Sequence, residues 1–204
     1  MAVTKQDQRK TQILDSALDV LVEKGYESSR VDDIVARSGI SKGAIYWYYP
    51  SKKDIYLALV NHWVWNYSAT INYIVSDRQS AAEQLTHLFE FFSQQFRESP
   101  AVFKALLEFW ALANRDLDFR QKLERVYQEF LGIIKAILRQ GVERGEFRPL
   151  DVETAALSIM VNVEGLVWFA MLDSHSTSVD DYIHTITQFI LAGLAPTTQK
   201  GDSV

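Results

Sequence analysis

Apolar residues recur along this chain at intervals of three and four, and no useful stretch alternates with a period of two. Every element the pattern predicts is therefore a helix. From Lys5 to Glu23 the residues Ile13, Ala17, Val20 and Leu21 make one amphipathic stripe, closed by Gly25. Two short helices follow, Val31 to Ser38 and Lys42 to Tyr48, separated by Ser38-Gly39-Ile40-Ser41. Glycine takes the left-handed conformation without steric cost, so Gly39 can stop the first of them. Ser41 can cap the second by accepting a backbone N–H. Ile34, Val35 and Ile40 supply the apolar contact across the turn. Two helices so joined are a helix-turn-helix, whose second helix is the one that enters a DNA major groove.

Ser51-Lys52-Lys53-Asp54 reads as a capping box that opens a long helix through Ile55, Leu59, Trp63, Tyr67 and Ile71. That helix starts beside the turn motif and leads into the second half of the chain, a natural mechanical link. Ser80-Ala81-Ala82-Glu83 is another capping box, and Ser99-Pro100 an N-cap with proline at the first helical position. A helix from about Asp118 to Arg144 ends at Gly145, and Pro149 prevents its resumption. Asp151 caps a segment that is apolar nearly all round, and Ser178 to Asp181 opens the last helix. The expected fold is all-α, with about nine helices. A three-helix DNA-binding domain over 1–51 precedes a ligand-binding and dimerisation bundle over 52–196 and a flexible tail over 197–204.

The second helix of the turn motif carries chemistry suited to DNA. Ser41, Gly43 and Ala44 are small and allow the backbone close to base edges. Lys42 can donate to a guanine edge or a phosphate. Tyr46 and Tyr48 lie two apart and face different ways, so one hydroxyl can reach a phosphate while the other ring packs inward. Trp47 reads as a surface residue, Lys52 as a contact to the duplex backbone, and Ile45 and Tyr49 as core. Ser29, with Asp32 three residues on, is the expected cap of the preceding helix, which leaves Arg30 free for a phosphate.

The run from Asp33 to Ile55, D-I-V-A-R-S-G-I-S-K-G-A-I-Y-W-Y-Y-P-S-K-K-D-I, closely resembles the N-terminal domain of the tetracycline-repressor (TetR) family of one-component bacterial regulators. Arg30 departs from that pattern, standing where the family often has a threonine cap. The second half resembles one large branch of the family at Glu108 to Asp116, Gly141 to Pro149 and Glu164 to Leu166, where the branch more often has Asp than Glu164. The resemblance implies an effector held between the long linking helix and the helices after it.

A net charge of −5 looks wrong for a DNA binder until it is divided along the chain. Residues 1–53 carry a net +2 and the remainder −7, so the basic excess sits at the DNA-binding end. The 204 residues are 48% hydrophobic and contain no cysteine, which allows a sizeable core and excludes disulfide or thiol chemistry. No signal region and no membrane span are expected, so a cytoplasmic protein is the default. Glu83, His87 and Glu90 share a helix face, but a solvated face explains them better than a metal. No phosphate loop, nucleophile elbow or metalloprotease motif is present, and neither enzyme chemistry nor a cofactor is expected.

Aromatic residues spread over several helices of the second half. Trp63, Tyr67, Phe92, Phe96, Phe103, Trp110, Tyr127 and Trp168 are suited to line an apolar cavity, with Asn66, Glu108, Asn114, Asn162 and Glu164 as polar contacts. The last two helices carry surplus apolar surface, placing Leu157, Met160, Val167, Ile183, Ile186 and Ile190 at a two-fold interface. These features together predict a homodimeric repressor that binds a palindromic operator in double-stranded DNA and is released by an apolar or aromatic small molecule. A helical small-molecule carrier without DNA binding is the rival reading; Lys42, Tyr46 and Lys52 argue against it.

Overall fold

The computed structural model describes residues 4–62, 79–172 and 177–196, and all regular structure among them is helical. The helices are α1 (Lys5–Ser28), α2 (Val31–Ser38), α3 (Lys42–Tyr48), α4 (helical over 52–62), α5 (Ala81–Glu98), α6 (Pro100–Ala113), α7 (Leu117–Glu143), α8 (Val152–Leu172) and α9 (Val179–Leu194). Trp63, Asn66, Tyr67 and the tail from 197 lie outside the described residues.

Sequence-local chemistry fixes most helix starts. Ser51 Oγ accepts the Asp54 N–H at 3.2 Å, Ser80 Oγ the Glu83 N–H at 3.2 Å and Ser178 Oγ the Asp181 N–H at 3.0 Å. Asp151 accepts the Glu153 N–H at 3.0 Å and Pro100 occupies the first turn of α6. The Ser99 hydroxyl makes no capping bond, so the proline alone marks that start. Gly25 does not end α1 outright. Its φ of +70° breaks the helix, and a further turn continues to Ser28.

The chain forms two compact units. The first combines α1 to α4 with α6 and the start of α7, so the helix-turn-helix belongs to a larger body than the 1–51 expected from sequence. Its core joins Ile13, Ala17 and Leu21 of α1 to Ile34, Ile45, Ile55, Tyr56 and Leu59, with Phe109 and Phe119 from α6 and α7. Lys53 reaches Asp116 at 2.7 Å and Asp118 at 2.6 Å, at the corner between α6 and α7. The Glu108 carboxylate accepts the Tyr26 N–H at 3.1 Å, just past the Gly25 break. Tyr26 in turn packs edge-on against Tyr56 and Phe119.

The second unit holds α5, the rest of α7, α8 and α9 around Leu85, Phe89, Ile134, Ile137, Ile159, Val163, Leu166 and Ile183. The stretch Gly141 to Pro149 is a corner. Gly141 has no side chain because the Phe147 ring folds back over it, and a Cβ there would also meet Ala81 Cβ at 2.9 Å. Arg148 N–H donates to Leu194 O at 2.9 Å, while Tyr182 lies against Gly165 and donates to Asn162 O at 2.8 Å. Those two contacts make α8 and α9 an antiparallel pair. Val152–Phe169 is long and apolar enough by length and composition to cross a membrane. In this fold its apolar residues divide between the core of the second unit and an exposed face.

Candidate nucleic-acid interface

The turn of the helix-turn-helix forms as its residues dictate. Gly39 takes φ +68° and its N–H bonds Val35 O at 2.9 Å. Ser41 Oγ accepts from Ala44 N–H at 3.4 Å, and Ile40 and Ile45 are buried beneath. Gln12 of α1 donates to Ser38 O at 2.7 Å and pins the turn from below. No sequence signal pointed to Gln12, because a glutamine on a polar helix face has no spacing signature.

The outer side of α3 is open. Tyr46 is 41% and Trp47 71% exposed, with the Trp47 and Tyr48 rings in edge contact at 4.7 Å. A Cβ at Gly43 would meet nothing within 4 Å. Ser41 and Lys42 are exposed beside it, Ala44 and Tyr48 half-buried, and Tyr49 buried. Burial pushes the Tyr49 hydroxyl up to about 12, so it stays neutral.

The cations fall into two groups. Arg37 pairs with Asp19 and Glu23, Lys24 with Asp33 at 2.8 Å, and Lys42 with Asp32 at 2.8 Å. Arg30, Lys5 and Lys10 have no ion-pair partner among the described residues, which leaves Arg30 as the unpaired cation next to the motif. Its route to that state differs from the one expected. Ser29 is buried and donates to Tyr26 O at 2.8 Å, while Arg30 itself is the N-cap residue and its N–H bonds Asp33 Oδ2 at 2.8 Å.

Lys52, expected on a phosphate, has other partners here. Its ammonium donates to Tyr26 O at 2.7 Å and Ser29 O at 3.0 Å, and lies 4.4 Å from the Tyr26 ring centroid. A cation on the last carbonyls of a helix complements the helix dipole, and this one ties α4 to the end of α1. Lys52→Met should therefore lower the thermal midpoint by several degrees. Charged hydrogen bonds contribute about 1.5–3 kcal/mol each way, and about 1 kcal/mol moves a chain of this size by roughly 2–4 °C. Its DNA-binding salt slope should stay unchanged. An unchanged midpoint with a slope flatter by about one unit would restore the phosphate contact.

The other expected sites are redistributed. Phe92 packs against Phe91 at 5.5 Å and Phe130 at 5.7 Å in the second unit, with Phe96 half-buried on the same helix. Phe103 is buried, and Trp110 and Tyr127 half-buried, in the first unit. Trp168 is 55% exposed and stands on an outer face of α8 rather than in a cavity. Glu108 is committed to Tyr26, and Asn162 donates to Ser158 O at 2.8 Å, so neither is held ready for a ligand. A groove of about 320 Å³ does run between α5 and α9, but its walls include Thr86, Glu90, Arg97, His184 and Gln188 and none of the Phe, Tyr or Trp residues expected at a cavity. Glu83 is taken by the Ser80 cap, and no metal-holding group occurs among the described residues.

Of the residues expected at a dimer interface, Met160, Val167 and Ile183 are buried within the single chain. Met160 lies only about 60° round the helix from Leu157 but about 100° from Val161, at the inner edge of the open face, and is covered by the subunit's own core. The face left uncovered is Leu157 (48% exposed), Val161 and Trp168 on α8 with Phe189 (69%) on α9, while Ile186 and Ile190 lie at its half-buried edge.

Comparison with known proteins agrees with this geometry. The profile described as "Bacterial regulatory proteins, tetR family" matches residues 13–59, and that of "BetI-type transcriptional repressor, C-terminal" matches 81–195. The fatty acid metabolism regulator protein of Bacillus subtilis is 25% identical over 185 residues, covering 90% of this chain and 94% of its own. The crystal structure of the regulator FadR from Bacillus subtilis in complex with stearoyl-CoA superposes with a TM-score of 0.80 at 23% identity, over 90% of this chain and 98% of that one. A putative transcriptional regulator from Saccharomonospora viridis in complex with choline gives 0.83 at 23% identity, over 94% and 100%.

Proposed function

Because the chain belongs to the TetR family of bacterial regulatory proteins, which are transcriptional regulators and not enzymes, we propose that it is a repressor released from its operator by a largely apolar small molecule. The observation that carries the reading is the outer side of α3, where Tyr46 and Trp47 stand exposed next to an open backbone at Gly43. A helix that buries Ile45 and leaves its aromatic neighbours in water suits insertion into a major groove. Arg30 serves as a phosphate anchor beside it.

Two copies act together, joined through Leu157, Val161, Trp168 and Phe189. Monomers rarely expose a contiguous apolar face of this kind without a partner. A two-fold pair then reads a palindromic site in cytoplasmic DNA, one recognition helix per half-site. The effector is read as apolar because the Phe92 ring packs against Phe91 and Phe130 in the second unit. The fatty acid regulator and the stearoyl-CoA complex among the similar proteins favour a long acyl chain, and the choline complex makes a small quaternary amine the compound to set against it.

The test begins with selection from a random pool of duplexes of roughly 30 bp, long enough for two half-sites one helical turn apart. A palindromic consensus is the expected outcome, and no enrichment would support the carrier reading instead. Stearoyl-CoA and choline are then titrated by tryptophan fluorescence with and without the selected duplex. A true effector must bind more weakly to the DNA complex, by the factor with which it weakens DNA binding. Equal affinity in both states would rule that compound out as the releasing signal.

A further inference from the structure

Among the described residues, Lys42 and Asp32 form the one cation–carboxylate pair on the open side of the recognition helix. Lys42 Nζ lies 2.8 Å from Oδ1 and 3.0 Å from Oδ2 of Asp32, and both side chains are more than half exposed (51% and 65%). Tyr46 follows Lys42 by one helical turn. The hydrogen bond that Lys42 donates to the Asp32 carboxylate raises the Lys42 pKa above its ordinary value, so the ammonium remains charged. The neighbouring pairs differ in place: Arg37 and Lys24 close α2 onto α1, and Lys53 closes α4 onto the α6–α7 corner. The Lys42–Asp32 pair sits where a duplex would have to lie.

We infer that Asp32 is a positioning residue for DNA binding: it holds Lys42 beside Tyr46 in the free protein and must be exchanged for DNA when the complex forms. The inference rests on the DNA-binding reading above. An exposed ion pair is worth little and opens easily. Its opening leaves a bare carboxylate close to phosphates, and that carboxylate recruits a cation as Lys42 releases one from DNA. Asp32 therefore weakens binding to any duplex and flattens its salt dependence. Such moderation suits a regulator that must let go, because a less tightly held operator needs a smaller effector bias for release.

The experiment compares wild type, Asp32→Asn, Lys42→Met and the double variant on the selected duplex and a scrambled one over a salt series. Asp32→Asn should tighten binding to the selected duplex about fivefold and steepen the salt slope by about 0.9. In the Lys42→Met background the same substitution should leave the slope unchanged. A purely structural bridge between α2 and α3 would alter the thermal midpoint but not the slope. Asp32→Ser is the second variant, should Asp32→Asn fold poorly. Unchanged affinity and slope, or an equal gain without Lys42, would overturn the exchange while leaving the regulator reading intact. A wild-type protein that binds no duplex would overturn both.

Discussion

Phe189→Asp is expected to give a folded monomer whose affinity for the selected duplex falls about a hundredfold or more. Phe189 is 69% exposed in the single chain, so the subunit's own core does not depend on it. The contacts between Arg148 and Leu194 and between Gly165 and Tyr182 align α9 antiparallel to α8, and Phe189 then falls level with Leu157 and Val161. A carboxylate placed in that face would be buried without a partner on dimerisation, a cost that breaks the interface. Separate subunits lose the effective concentration that one bound half-site confers on the other, which accounts for a factor of 10²–10⁴ in linked binding. Sedimentation should give the monomer mass and circular dichroism an unchanged helix content. A soluble dimer of full affinity would remove this face from the interface.

The helix-turn-helix was legible because its determinants are local. A glycine that stops one helix, a serine that caps the next and three apolar residues across the turn lie within a dozen positions. The caps at Ser51, Ser80, Asp151 and Ser178 were readable for the same reason. The α8–α9 face was only half legible. An all-round apolar helix declares that it is surrounded, but which side meets its own subunit depends on α5 and α9. Thus Met160 and Val167 turned inward and Trp168 outward.

Lys52 and Glu108 show where reading by residue type fails. Each has the chemistry of a ligand contact, and each is used by the end of α1 that the Gly25 break brings into reach. The break depends on a φ of +70°, a property of the folded backbone. The Asp32–Lys42 pair was equally invisible, since two oppositely charged residues ten positions apart carry no periodic signal. The family resemblance located the recognition helix but did not indicate which of its cations are already paired.

The most direct test of the central claim, that the outer face of α3 reads DNA, is the affinity of Trp47→Ala for the selected and the scrambled duplex at one salt concentration. Trp47 is 71% exposed, so its loss should leave the thermal midpoint almost unmoved. A side chain in contact with base edges contributes about 1–3 kcal/mol of discrimination, as a mismatched base pair does. The account predicts a loss of about tenfold or more on the selected duplex and a distinctly smaller loss on the scrambled one. Equal affinity of wild type and variant for both duplexes would contradict it.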